Sequence, residues 1–179
     1  TRERELAKYH SAYQEEGYGM SDGRRDALEE ILKEIEGTSF LDVSTGRGEL
    51  MEHARKLGFE IVAGTETVDD LIGEDKNVGY GVLPNLSIPD KYYDVVSLIE
   101  VIEHLVPEDV EPSLHELTRL AKKTILISAA TQEHWMGGVN LHPSARPEQD
   151  WDALFHKVWG DKVKPTRYLG FSPCWRVDL

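Results

Sequence analysis

The sequence predicts one doubly wound α/β domain, a mostly parallel sheet of about seven strands with an antiparallel pair at its C-terminal end. Three observations carry that expectation. Between residues 24 and 128, short apolar runs alternate with amphipathic stretches, as in strands joined by helical crossovers. The run Asp94-Val95-Val96-Ser97-Leu98-Ile99 is almost continuously apolar, as in a strand buried on both faces. The length of 179 residues suits a single domain spanning 1–179.

The elements follow in order. Residues 1–16 are highly charged, with Leu6, Tyr9 and Tyr13 at helical spacing, and three glycines in 17–23 break that helix. Residues 24–36 read as a helix with Ala27, Leu28, Ile31, Leu32 and Ile35 on one face and Gly37 as its C-terminal cap. Ser39–Val43 is a strand, followed by a turn at Ser44–Gly48. The next helix turns Leu50, Met51, Ala54 and Leu57 inward and stops at Gly58. A second strand begins at Glu60 and runs to Thr65-Glu66, a short helix covers 68–72, and a third strand covers 78–80. The fourth strand is 94–99, a helix spans Glu108–Lys123, and a fifth strand spans Thr124–Ser128. Residues 131–147 form a loop rich in Gly, His and Pro, Glu148–Trp159 is a helix, and two β segments near 163–169 and 174–179 pair at the sheet edge.

Composition narrows the function classes. Twenty Lys and Arg against 33 Asp and Glu give a net charge of −13. That disfavours partners bound through many phosphates, nucleic acid included. The single cysteine, Cys174, excludes an internal disulfide and a cysteine-rich zinc site, and Pro173-Cys174 reads as a buried thiol. His53, His134 and His156 read as surface or packing residues, and seven scattered histidines suggest no metal constellation. No apolar run approaches the ~20 residues of a membrane span and no secretion leader is visible, so a cytoplasmic setting is expected.

The chemistry lies in the first strand, its turn and the second strand. Gly46 and Gly48 allow a tight turn that brings backbone close to a ligand. Glu66, 20 residues after Gly46, stands where an acid accepts hydrogen bonds from ribose hydroxyls. A dinucleotide fits poorly: Met51 occupies the place of a third glycine, and Asp42 would repel a pyrophosphate. Asp42 is compatible with a cationic ligand, and no Gly-x-x-x-x-Gly-Lys-Ser/Thr loop exists for a nucleoside triphosphate.

These residues resemble the class I S-adenosylmethionine-dependent methyltransferases. The matching segments are Leu41–Glu49, Gly64-Thr65-Glu66, Ile88–Val96 and Glu100-Val101-Ile102-Glu103-His104-Leu105, in order over roughly 38–130. The resemblance implies a Rossmann-like fold with S-adenosylmethionine as cofactor and S-adenosylhomocysteine as product. Asp42, Ser44, Gly46 and Gly48 would hold the methionine moiety, and Glu66 with Thr67 the ribose. Val82 and Leu83 would flank the adenine, Glu100 would border cofactor and substrate, and Tyr18-Gly19-Met20 would be a lid within an N-terminal region of residues 1–23. Two positions depart from the family pattern: Ser44 stands for a glycine, and Val82 for an acid that grips the adenine amino group.

His104, after the fourth strand, and His142, in the loop after the fifth, are the candidate catalytic residues, each with a plainer reading as a turn or loop scaffold. Glu103 is a second pocket acid or an ordinary acid of a first helical turn. The expected acceptor is a small molecule or a glycan, with residues 131–179 forming the substrate side and a partner subunit possible in so short a chain. The segment after the fourth strand lacks the Asp/Asn-Pro-Pro-aromatic signature of base-amine methyltransferases. Two alternatives stand beside this reading. One is a nucleic-acid methyltransferase with a basic groove of Arg24, Arg25, Lys162, Lys164 and Arg167. The other is a non-catalytic cofactor-binding module.

Overall fold

The computed structural model describes residues 7–8, 22–74 and 76–179. The glycine-rich break and Tyr18-Gly19-Met20, and all of the predicted first helix except 7–8, lie outside the described residues. The described elements are α1 (Asp22–Leu32), β1 (Ser39–Val43), α2 (Glu49–Lys56), β2 (Ile61–Glu66), β3 (Val78–Tyr80), β4 (Tyr93–Ile99), α3 (Pro107–Leu120), β5 (Ala121–Ser128), β6 (Trp135–Met136), β7 (Val139–Asn140), α4 (Glu148–Trp159), β8 (Val163–Pro165) and β9 (Cys174–Asp178). Seven strands form one sheet in the order β3-β2-β1-β4-β5-β9-β8. The first five are parallel, β9 is antiparallel to β5, and β8 is antiparallel to β9. The expected architecture is therefore the observed one. Strand order reverses between β1 and β4, where an open α/β sheet leaves a crevice at its carboxyl end.

Alternation along the strands sorts side chains into two cores. Phe40, Val95 and Leu126 pack with Leu28, Ile31 and Leu32 of α1 and with Leu50, Met51 and Ala54 of α2. Leu41, Val96, Ile125 and Ile127 pack with Leu114 and Leu117 of α3 and with Trp151, Phe155 and Trp159 of α4. Three tryptophans are thus core residues, while Trp135 is exposed. No helix among the described residues is long and apolar enough to cross a membrane.

Three local expectations need correction. Gly37 does not cap α1, which ends five residues earlier. A Cβ at Gly37 would sit 3.1 Å from Asp94 Cβ and 3.1 Å from Val95 Cγ2, so this glycine permits a close approach to β4. The boundary between α3 and β5 lies at Leu120/Ala121, because Ala121 pairs with Tyr93 and is buried in the core. The loop after β5 contains a small hairpin, β6–β7, turned by Gly137 and Gly138 at φ 56° and 79°.

Gly64 in β2 is the tightest position behind the crevice. A Cβ there would lie 2.7 Å from Met51 Sδ and 2.9 Å from Thr45 Cγ2, whereas Gly79 has nothing within 4 Å. Gly64→Ala is expected to lower stability by about 1–3 kcal/mol through overpacking. Gly79→Ala is expected to be near neutral. Urea denaturation midpoints of the two variants check the contrast.

Candidate cofactor and acceptor site

The site begins with a buried carboxyl. Asp42, the penultimate residue of β1, is 4% exposed. Its Oδ2 accepts a hydrogen bond from Thr45 Oγ1 at 2.8 Å, and its Oδ1 accepts one from Ser97 Oγ at 2.6 Å. Ser97 belongs to β4, so the carboxyl joins the two strands across the reversal point. Burial pushes the Asp42 pKa up to about 6, against the pull of the two hydroxyls.

The turn beyond it is shaped by left-handed backbone. Ser44, Gly46 and Gly48 have φ of 58°, 58° and 81°. For Ser44 this conformation costs roughly 1–2 kcal/mol, because its Cβ crowds the backbone where glycine would not. Thr45 N–H donates to Thr65 O at 2.9 Å, which lays the turn on β2. Close contact is possible because Gly64 has no side chain.

Glu66 closes β2 and faces that turn. Its Oε2 accepts the Gly46 N–H at 2.8 Å. Its Oε1 accepts Thr67 N–H at 2.6 Å, Thr67 Oγ1 at 3.2 Å and Val68 N–H at 3.3 Å. The 20-residue spacing thus brings Gly46, Glu66 and Thr67 into direct contact. Val82 is half-buried in a tight turn in which Asn85 N–H donates to its carbonyl at 3.2 Å. The Leu83 side chain is buried in the core on the α3 side, so it packs against protein.

Glu100 follows β4 with φ of 56°. Ser128 Oγ donates to its Oε1 at 2.8 Å, Ser172 Oγ donates to its Oε2 at 2.7 Å, and Arg24 approaches Oε2 at 3.5 Å. It thereby links β5, the β8–β9 connection and α1.

Beyond Glu100, the turn Ile102–His104 meets the loop after β7. Ser144 N–H donates to Glu103 O at 3.0 Å and Ser144 Oγ to Leu105 O at 2.7 Å. His104 Nδ1 donates to Leu141 O at 2.7 Å, and His142 Nδ1 to Gln132 O at 2.8 Å. The two rings meet edge to face with centroids 4.6 Å apart, and the exposed His134 packs 5.3 Å from His142. Burial lowers the His104 pKa to about 3 and also lowers that of His142. Glu103 is fully buried, and desolvation followed by the nearby Glu100 charge pushes it up to about 8. At neutral pH this side therefore holds two neutral imidazoles and a largely protonated carboxyl.

Sequence reasoning missed Ser97, Ser128 and Ser172. A serine inside or closing an apolar strand is the signal that two of them offered. Arg24 was assigned to a basic groove, yet it pairs with Glu100. That groove does not gather all five residues. Antiparallel pairing of β8 with β9 places Lys162 toward the amino end of the sheet, away from the crevice. Lys164 pairs with Asp178 at 2.8 Å. Cys174 is buried, and desolvation pushes its thiol up to about 12.

Comparisons agree with this geometry. A family described as "Methyltransferase domain" matches residues 13–167. No curated protein matches the sequence. Among solved structures, a Pyrococcus horikoshii OT3 protein superposes with a TM-score of 0.70 at 17% identity, covering 93% of this chain and 92% of that one. Burkholderia thailandensis 1,6-didemethyltoxoflavin-N1-methyltransferase, with S-adenosylhomocysteine bound, gives 0.72 at 14% identity over 97% and 86%. Magnesium protoporphyrin IX methyltransferase from Synechocystis PCC 6803, with S-adenosylmethionine bound, gives 0.67 at 14% identity over 97% and 96%.

Asp42 makes stability pH-dependent. Its pKa rises from 3.8 in the unfolded chain to about 6 in the fold, so protonation favours the folded state. The stabilisation is fully present below the unfolded value and is lost as pH rises through about 6. The difference amounts to about 3 kcal/mol at most. Asp42→Asn is expected to flatten the fall in denaturation midpoint between pH 4 and 7 that the wild type shows. Equal slopes in the two proteins would contradict this.

Proposed function

The chain belongs to the methyltransferase-domain family, and on that premise we propose that it is an S-adenosylmethionine-dependent methyltransferase acting on a small-molecule or glycan-type acceptor. The observation that carries this is the contact of Asp42, the Ser44–Gly48 turn and Glu66 at the point where strand order reverses.

The residues present suit the cofactor. The crevice offers a buried carboxyl whose pKa desolvation raises to about 6 and whose ionised form a cationic ligand would favour. It also offers a second carboxylate against the turn amide. When bound, S-adenosylmethionine supplies an already activated methyl group on a positively charged sulfur. The protein's contribution is then mainly position and exclusion of water.

Each side chain has a defined task in this reading. Glu66 exchanges the Gly46 N–H for ribose hydroxyls, with Thr67 fixing its other oxygen. Asp42 and the turn residues Ser44, Gly46 and Gly48 hold the methionine portion. Because Leu83 is committed to the core, Val82 and its backbone provide the adenine contact. Tyr18 lies outside the described residues and keeps its expected role as part of a lid. Glu100, anchored by Ser128, Ser172 and Arg24, forms the wall between cofactor and acceptor. His104 and His142 line the acceptor side. His104, neutral at pH 7, orients the acceptor by hydrogen bonding, and the less buried His142 takes the proton of an acceptor hydroxyl.

A small acceptor is supported by the net charge of −13 and by the separation of the basic residues that a nucleic-acid groove would need. Two of the fold neighbours are named for small molecules, 1,6-didemethyltoxoflavin and magnesium protoporphyrin IX.

Isothermal titration with S-adenosylhomocysteine tests the reading. The wild type is expected to bind one equivalent. Glu66→Gln is expected to weaken binding at least about tenfold, the loss of hydrogen bonds to a charged acceptor. Absence of heat on folded wild-type protein, with either this compound or S-adenosylmethionine, would overturn it.

A further inference from the structure

We propose that Glu103, His104 and His142 form a binding site for one divalent cation of the zinc type on the acceptor side of the crevice. The ion site stands on its own observations; only its service to an acceptor rests on the methyltransferase reading.

The first observation is convergence. One donor atom from each of the three residues lies within 4.8 Å of the other two. Tetrahedral ligands on zinc, each at about 2.0–2.1 Å, sit roughly 3.3 Å apart. Small side-chain rotations therefore close the set around an ion.

The second observation is independent of that geometry. Glu103 is fully buried, and among the described residues neither of its carboxyl oxygens has a hydrogen-bond partner. Isolating a carboxyl in this way is unfavourable, and buried acids are ordinarily paired or bound to metal. A cation among these side chains supplies the missing partner.

The third observation concerns the histidines. Each donates its Nδ1–H to a backbone carbonyl, His104 to Leu141 O and His142 to Gln132 O. An Nδ1–H bond to a carbonyl is a common way of orienting ligating imidazoles. The frame is built in advance, since Ser144 fastens the His142 loop to the carbonyls of Glu103 and Leu105.

Two imidazoles and one carboxylate suit zinc and neighbouring first-row ions better than magnesium or calcium, which prefer all-oxygen shells. Three protein ligands leave a coordination position open, as catalytic zinc sites do. With the ion bound, His142 is a ligand and not the base; an acceptor hydroxyl occupying the open position would lose its proton more readily, the proton passing to solvent. The class of acceptor implied is one that binds the metal through oxygen.

The test uses tag-free, chelator-treated protein titrated with Co2+ and followed by visible absorption, then with Zn2+ in competition. The same samples are titrated with S-adenosylhomocysteine. One equivalent of Co2+ is expected, with ligand-field bands in the visible that Zn2+ abolishes. Glu103→Gln and His142→Ala are each expected to weaken metal binding at least tenfold while leaving S-adenosylhomocysteine affinity within about twofold. Failure to bind one equivalent, or variants that bind as the wild type does, would overturn the proposal. Metal binding without S-adenosylhomocysteine binding would sink the cofactor reading and leave the metal site standing. Should Glu103→Gln fail to fold, as judged by circular dichroism, His142→Ala decides.

Discussion

The architecture of the crevice depends on one buried carboxyl. Asp42 is shared by Thr45 in the turn and Ser97 on the neighbouring strand, and those two strands are adjacent in space but distant in sequence. Two hydroxyls offset much of the penalty for burying an acid, though not all of it, since burial still raises its pKa. The turn that follows inherits its position from this arrangement. Thr45 reaches back to Asp42 and across to the Thr65 carbonyl, and Gly46 then meets Glu66. A shift of β1 against β4 would carry the entire chain of contacts with it.

Charge gives the crevice its character. Asp42, Glu66, Glu100 and Glu103 all gather at the carboxyl end of the sheet, with Arg24 leaning on Glu100. Besides desolvation, the Glu100 charge raises the pKa of Glu103 and the Glu66 charge that of Asp42. Such a cluster discriminates against anionic ligands and favours cations. On the readings proposed above, a sulfonium ligand on one side of Glu100 and a metal ion on the other would be two answers to the same accumulated charge.

The legibility of this protein followed the range of each interaction. β1 and α4 have the boundaries read from periodicity, because apolar runs and turn residues mark both ends. The junction of α3 and β5 was misplaced because Ala121-Lys122-Lys123 suits a helix by composition, and only pairing with β4 makes it strand. The β6–β7 hairpin was overlooked although Gly137-Gly138 is a turn signal, since two-residue strands leave no period to detect. In the site, Gly46 and Glu66 were readable from a fixed spacing. The anchoring of Glu100 by Ser172, and the meeting of His104 with His142, arise from contacts far apart in sequence that no local pattern encodes. For the same reason the histidines looked scattered, yet two of them converge with Glu103.

The most direct measurement is a crystal structure of the protein with S-adenosylhomocysteine. The account predicts density in the crevice between β1 and β4, with ribose hydroxyls on Glu66 and the Gly46 N–H released from its present contact. Density elsewhere, or an empty crevice in which the Gly46–Glu66 hydrogen bond persists, would contradict it.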